Sequence, residues 1–173
     1  MKKEIIEWIK TIVISIAIAL LITIFITPTI VKNHSMTNTL EENDFLMINK
    51  LMYQRSTPKE KDIVVFQSPL RTSSGEEKLL IKRIIALSGD ELLIRDGEVY
   101  VNDVLQKEEY IRENYTVGEV DLIIPEGKIF VMGDNRSNSL DSRDGILGLV
   151  SEEDIIGKAF FRLYPFGRFG FIH

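Results

Sequence analysis

The chain has 173 residues, a formal net charge of −5, no cysteine and a hydrophobic content of 45%. This length suits one domain with a small additional element. The negative charge argues against a general nucleic-acid-binding surface. Without cysteine, a disulfide framework, a thiolate zinc site and a cysteine nucleophile are excluded. Two histidines, His34 and His173, are too few for a His-rich metal site, so we expect neither a metal nor a cofactor.

An uncharged apolar segment, TIVISIAIALLITIFITPTIV, runs from Thr11 to Val31. It is long enough to cross a bilayer as a helix. The alternatives are a cleaved signal peptide, which has a shorter apolar core and a small-residue cleavage site, and a buried core helix, which would show water a polar face. Lysines before the segment favour a cytoplasmic N-terminus. We therefore predict a single transmembrane anchor in residues 1–31, followed by a domain of residues 32–173 outside the membrane.

The rest of the chain is rich in short stretches of Ile, Val, Phe and Leu, which favour strands. Asp96-Gly97 lies between two of these stretches and predicts a two-residue hairpin turn. Residues 68–78 read as a polar loop and residues 152–155 as a helical turn. The fold class that follows is mainly β, with a single N-terminal transmembrane helix before an all-β domain of short antiparallel strands. The predicted strands are residues 45–49, 62–67, 79–87, 91–95, 98–102, 120–124, 128–133 and 155–163.

Ser35 follows the apolar segment directly, within VKNHSMTNTL. A serine hydroxyl is a poor nucleophile until a neighbouring base takes its proton. His34 is adjacent in sequence, so its side chain would point to the opposite face of an extended segment. His173 is the last residue, and chain ends are poorly ordered unless something holds them. A Ser-His-Asp triad is therefore not expected.

Lys82 lies within LLIKRIIAL, residues 79–87. Alternation along a strand puts Lys82 on the face of Leu80 and Ile84, where burial would favour the neutral amine. Its neighbour Arg83 stays protonated at any usable pH and cannot act as a base. From these residues alone, an edge-strand Lys82 whose amine reaches water remains an alternative.

A polar segment, GDNRSNSLDSRDG, covers residues 133–145 and follows an apolar strand. Its content of Asp, Asn, Ser and Arg fits a solvated loop or a functional site. A calcium-binding loop is excluded, because Arg136 stands where such a loop needs Asp or Asn and Ser139 where it needs Gly.

Taken together and in this order, the segments resemble bacterial signal peptidase I, a membrane-bound Ser-Lys endopeptidase, over nearly the whole chain. SMTNTL is similar to the family's Ser-Met-x-Pro-Thr-Leu box, and KDIVVF to its Gly-Asp-ϕ-Val-Val box. IKRIIALSGD resembles the lysine box, and GDNRSNSLDSR resembles the Gly-Asp-Asn-Arg…Asn-Ser-x-Asp-Ser-Arg box. FRLYPFG also looks like the family's aromatic end.

The resemblance implies a role for each matching residue. Ser35 corresponds to the nucleophile, Lys82 to the general base, and Ser139 to a serine that orients the lysine amine. The oxyanion hole would use the backbone N–H of Ser35, with the Asn33 amide as a further donor.

The same resemblance extends to supporting residues. Asp141 and Arg143 correspond to an ion pair that braces the site, and Asp134 and Arg136 to structural residues. The residues expected to line the pockets for small substrate side chains are Met36, Leu40, Leu80 and Ile81.

Five positions depart from the family's boxes. Asn38 replaces a proline, which we expect to loosen the turn after the nucleophile. Lys61 replaces a glycine, and Ala86, Ser88 and Ser137 replace a glycine, a proline and an aspartate. None of these changes removes a catalytic group.

The resemblance implies a bacterial cell-membrane enzyme, single-pass, with its catalytic domain on the outer face, that removes signal peptides from exported preproteins. Its expected partners are those signal peptides and the lipid bilayer, and its expected form is a monomer near the secretion translocon. Two alternatives are a weakly active or inactive homologue that binds preproteins and a membrane-anchored adaptor. The enzyme predicts that Ser35 Oγ and Lys82 Nζ lie about 2.6–3.2 Å apart, whereas the adaptor predicts that they lie far apart.

Overall fold

The computed structural model describes residues 2–172, which form two antiparallel sheets and one long N-terminal helix. His173 and the expectation made for it lie outside the described residues. The helices are α1 (Lys2–Phe25) and α2 (Met52–Arg55), with short 3-10 turns at Glu152–Asp154 and Phe166–Arg168. The strands are β1 (Ile26–Ile30), β2 (Phe45–Asn49), β3 (Ile63–Arg71), β4 (Glu77–Ala86), β5 (Glu91–Arg95), β6 (Glu98–Val101), β7 (Val104–Leu105), β8 (Val120–Ile123), β9 (Lys128–Met132), β10 (Val150–Ser151), β11 (Ile155–Tyr164) and β12 (Gly170–Phe171).

The helix α1 ends earlier than the apolar segment does. Phe25 is its last residue, and β1 then pairs antiparallel with β2, with Pro28 opposite Met47. Pro28 lacks a backbone donor and disfavours helix at the residue before it, but an edge strand tolerates it. The prediction of one helix continuing to Val31 is therefore wrong beyond Phe25. Among the described residues, no helix combines the length with the apolar character that a membrane crossing needs.

The larger sheet has the strand order β1-β2-β11-β3-β4-β9-β10, and β12 pairs with β11. Its long hairpin differs from the prediction, because β3 and β4 extend into the segment of residues 68–78 that was predicted as a loop. Gln67 pairs with Leu79 and, across a bulge, Arg71 pairs with Glu77. Backbone pairing between two adjacent strands thus overrides the polar composition of the segment. The central strand β4 lies between β3 and β9.

The smaller sheet has the order β7-β6-β5-β8. Its β5–β6 hairpin turns at Asp96 and Gly97, both with positive φ (54° and 85°), as a two-residue hairpin turn requires. Apolar side chains of this sheet share a core with Phe130 and Met132 of β9. The mainly β, antiparallel fold class is confirmed, and the shared core connects the small sheet to the strand beside β4.

The segment between β1 and β2 is held by a second core. Met36 and Leu40 are fully buried there, beside Leu46 of β2 and Ile63 of β3. Its ends are also tied together, since Val31 N donates to Asp44 O and Asn43 N to Val31 O. Ser35 is therefore presented from a packed loop.

Candidate active site

Ser35 and Lys82 meet in the structure. Lys82 Nζ lies 2.5 Å from Ser35 Oγ, although the residues are 47 positions apart in the chain. Both are buried, with exposed fractions of 9% for Ser35 and 2% for Lys82. This contact is slightly shorter than the range of about 2.6–3.2 Å predicted for an enzyme, and it lies within hydrogen-bond reach. The large separation predicted for an adaptor is not found.

Strand alternation explains the placement of Lys82. It pairs with Val64 of β3 and points to the side of β4 that also carries Leu80 and Ile84, two core residues. Burial lowers the pKa of Lys82 from 10.5 to about 8, outweighing the opposite effect of the Asp141 and Asp134 carboxylates. The amine is therefore neutral in a substantial fraction of molecules near pH 8.

The backbone around Ser35 is fixed by Asn135, which sequence reasoning missed as a site residue. Asn135 N donates to Ser35 O, and its side-chain Nδ2 donates to His34 O, both at 3.0 Å. Within the loop, Leu40 N donates to Met36 O at 2.8 Å. Asn135 belongs to the Gly-Asp-Asn-Arg box, so its motif was visible in the sequence, but its partner could be found only in three dimensions.

Gly133 allows the close approach of two chain segments. A Cβ added there would lie 2.3 Å from both Ser35 O and Ser139 Oγ, a distance that Cβ atoms essentially never show. The first residue of the Gly-Asp-Asn-Arg box therefore has a steric role that no residue other than glycine can fill without displacing the Ser35 backbone.

Ser139 lies close to this contact. Its Oγ is buried and helps to lower the pKa of the Asp141 carboxyl, although within residues 2–172 it makes no hydrogen bond of ordinary geometry. The hydrogen bond expected between Ser139 and the Lys82 amine is thus absent from this arrangement. The orienting role of Ser139 remains a prediction.

The ion pair predicted between Asp141 and Arg143 is present. Arg143 Nε lies 2.8 Å from Asp141 Oδ1, and Arg143 Nη2 lies 2.8 Å from Asp141 Oδ2. Oδ2 also accepts a hydrogen bond from Gly133 N at 3.1 Å. Burial raises the pKa of Asp141, but the hydrogen bonds and charge of Arg143, together with hydrogen bonds from Ser139 and Gly133, outweigh burial and leave the pKa below its ordinary value. Asp141 therefore stays ionised, and its pair ties the polar segment to Gly133.

Asp134 and Arg136 pair with other partners, not with each other. Asp134 accepts from Arg83 Nε at 2.9 Å and Nη2 at 2.7 Å, and from Thr39 Oγ1 at 2.5 Å. Arg136 pairs with Glu108 through Nη1 at 2.6 Å and Nη2 at 2.5 Å. Thr39 and Glu108 were not predicted, because neither stands out in the sequence. The Arg83–Asp134 pair brings the lysine-bearing strand to the polar segment.

A cleft of about 290 Å³ opens beside Ser35. It corrects the predicted substrate pocket, since Leu80 lines the cleft but Met36 and Leu40 have no exposed surface and Ile81 packs against their core. The reason is the turn at residues 36–40, which points both side chains inward. The residues lining the cleft are Lys32, Asn33, His34, Ser35, Leu70, Lys78, Leu80, Lys82, Asn138 and Leu140.

The cleft has donors available for a developing negative charge. Asn33 lines it, and the backbone N–H of Ser35 has no acceptor among the described residues. His34 Nε2 lies 3.7 Å from Glu42 Oε2, and its side chain is exposed. Nowhere in the described part of the chain do three His, Cys, Asp or Glu side chains form a group that could hold a metal ion. A buried hydroxyl beside a partly neutral amine can perform acyl transfer through a serine nucleophile.

The chain is similar to known proteins. The profile of the family described as "Signal peptidase, peptidase S26" matches residues 5–164. A probable signal peptidase I-1 of Synechocystis is 37% identical, with 95% of this chain and 85% of that protein covered. Signal peptidase I P of Bacillus subtilis subsp. natto is also 37% identical, with 96% and 93% covered. A crystal structure of a signal peptidase I from Enterococcus faecalis, 32% identical, has a TM-score of 0.50 and covers 60% of this chain and 97% of that one.

Proposed function

The chain belongs to the signal peptidase I family, peptidase S26, whose activity is cleavage of signal peptides from preproteins by a serine endopeptidase, and we propose that Ser35 and Lys82 are its catalytic dyad. The observation that carries the proposal is the 2.5 Å contact between two buried groups, a hydroxyl and an amine with a lowered pKa. Lys32 and Lys78 also line the cleft, but neither is buried, and Lys82 is the lysine whose amine contacts Ser35 Oγ. Arg83 stays protonated, so Lys82 is the base best suited to Ser35.

The proposed reaction starts with neutral Lys82. Its amine takes the proton of Ser35 as Oγ attacks the carbonyl carbon of the scissile peptide bond. The backbone N–H of Ser35 and the Asn33 amide stabilise the oxyanion. As the peptide bond breaks, Lys82 gives its proton to the leaving amine of the mature protein. Water then attacks the acyl carbon while Lys82 takes its proton. Lys82 returns this proton to Ser35 Oγ as the ester bond breaks, and the signal peptide leaves with a free carboxyl group.

Supporting residues hold the Ser35 hydroxyl and the Lys82 amine in position. We assign Asp141, Arg143, Asp134 and Arg136 to bracing. Their ion pairs hold the polar segment together and join it to β4 and to Glu108, and a hydrogen bond from Thr39 to Asp134 joins it to the loop that carries Ser35. We keep Ser139 as the residue that orients the amine, since its buried Oγ lies beside the Ser35 backbone at Gly133. The small cleft beside Leu80 suits substrates with small side chains near the cut.

We further propose that α1 anchors the enzyme in a bilayer. Two features support this proposal: the uncharged run from Thr11, and apolar side chains that are more than half exposed around the helix, including Ile12, Val13 and Ile16. Exposed apolar surface of this extent marks a membrane or protein contact. The lysines before it favour a cytoplasmic N-terminus, and the catalytic domain of residues 32–173 would then lie on the outer face.

Both partners of the reaction would then be tied to the same membrane. A signal peptide also lies in the bilayer, so anchoring raises the effective concentration of its cleavage site near Ser35. We propose that a monomer near the secretion translocon is the working form.

The test compares wild type with Lys82→Arg in cleavage of a signal-peptide substrate by the full chain in detergent. Arginine keeps the charge and stays protonated, so the variant should be inactive while its circular dichroism matches wild type. Lys59→Arg, at an exposed lysine away from the cleft, is the matched control and should cleave normally. Substantial cleavage by a folded Lys82→Arg protein would remove lysine as the base, and binding without cleavage by wild type would favour an inactive homologue.

A further inference from the structure

Asn38 stands where the resembling box has a proline, and its backbone conformation is one that proline cannot adopt. Its φ is +99°, whereas the proline ring holds φ near −65°. Asparagine is among the few residues that tolerate positive φ. The turn after Ser35 is therefore built around a backbone conformation that asparagine adopts and proline cannot, so the expectation that Asn38 merely loosens the turn does not describe it.

The Asn38 side chain binds a distant segment. Its Nδ2 donates to Tyr110 O at 3.0 Å and approaches Ile111 O at 3.5 Å. Both partners are carbonyl oxygens, which only accept, so the amide nitrogen is the end that faces them. This contact fastens the loop of the nucleophile to residues 106–119, a segment without helix or strand that we call the strap.

The strap in turn covers the residues around the dyad. The Tyr110 ring lies over the Arg83 guanidinium, with 3.9 Å between the guanidinium carbon and the ring centroid. Arg112 N donates to Asp134 O at 3.3 Å, and Glu108 pairs with Arg136. The strap thus stacks on the residue next to Lys82 and holds the polar segment from outside.

We propose that Asn38 is a positioning residue: its positive φ shapes the turn after Ser35 and its amide anchors the strap over Arg83 and Asp134. The proposal rests on the Ser35–Lys82 mechanism for its effect on rate. A small displacement of a nucleophile from its base has a large effect on the chemical step and little on substrate binding. Restoring the proline of the box would therefore damage this enzyme.

The experiment compares Asn38→Gly and Asn38→Pro in the full chain in detergent. Glycine accepts the backbone conformation but lacks the amide, so kcat should fall about tenfold, as for loss of one hydrogen bond, with KM little changed. Proline allows neither the positive φ nor the side-chain hydrogen bond, so kcat should fall on the order of 100-fold in Asn38→Pro. Exchange of the Arg112 amide with solvent should be faster in Asn38→Gly than in wild type, because the strap has lost its anchor.

Asn102→Gly is the matched control. Asn102 also has a positive φ, 52°, and a hydrogen-bonded side chain, which contacts Asp90 in the turn before β5. Asn102→Gly also loses a side-chain hydrogen bond, but it should leave kcat and the exchange rate of the Arg112 amide unchanged. Full activity of Asn38→Pro, or unchanged Arg112 exchange in Asn38→Gly, would overturn the proposal. The exchange result is independent of catalysis, so it decides the role of Asn38 even if Lys82→Arg proves active.

Discussion

Replacing Lys82 with methionine should abolish cleavage and at the same time stabilise the fold at neutral pH. Burial lowers the pKa of Lys82 from 10.5 to about 8. At about 1.36 kcal/mol per pKa unit, the charged amine disfavours the folded state by about 3 kcal/mol. Methionine removes that charge and keeps most of the volume, but it forfeits a hydrogen bond to Ser35 worth about 1 kcal/mol. The free energy of unfolding at pH 7 should therefore rise by about 2 kcal/mol.

The sign of the pH dependence is fixed by the direction of the pKa shift. The pKa of Lys82 is lower in the folded protein than in the unfolded chain, so the charged lysine destabilises the fold by its full amount below about pH 8. Between about 8 and 10.5 the unfolded chain binds more protons than the folded one, so the stability of wild type rises with pH and the advantage of Lys82→Met shrinks.

Urea unfolding of both proteins in one detergent, followed by circular dichroism at pH 7 and pH 10, measures this difference. Lys59→Met, at an exposed lysine, is the control and should change the unfolding free energy little at either pH. A Lys82→Met protein less stable than wild type at pH 7, or a difference that does not change with pH, would refute the reasoning.

Three further predictions concern the site. Gly133→Ala should lower kcat on the order of 100-fold by displacing Ser35 O, whereas Gly145→Ala, with open space around it, should be active in the same assay. Lys78→Met should move the midpoint of the kcat/KM profile to higher pH, because the charge of Lys78 lowers the pKa of Lys82; a midpoint that stays or falls would contradict this. A peptide library should show Ala, Gly or Ser before the cut, and efficient cleavage after Phe or Arg would contradict the small cleft.

Much of the β-domain could be predicted because strands are encoded locally. A stretch rich in Ile and Leu indicated β4, and Asp96-Gly97 indicated the β5–β6 turn, both of which the structure has. The end of α1 was missed, because the apolar run continues through Phe25 while the pairing of β1 with β2 depends on residues far along the chain. Apolar composition alone does not distinguish a helix from an edge strand.

Some residues of the candidate site could be predicted from the sequence and others could not. Ser35 and Lys82 could be found from chemistry and motif, since a serine without a usable histidine needs a lysine that burial can make neutral. Glu108 and Asn38 could not be assigned, because their partners become neighbours only when the strap folds over the polar segment. The predicted pocket included Met36, whereas the turn after Ser35 buries Met36 completely and keeps it out of the cleft lining.

The pH dependence of kcat/KM tests the central claim, that Lys82 is the base for Ser35, most directly. Wild-type enzyme in detergent, assayed on a signal-peptide substrate, should gain activity as the pH rises, with a midpoint at about 8, where Lys82 loses its proton. A midpoint near the ordinary histidine pKa of about 6.5 that disappears in His34→Gln would contradict the account.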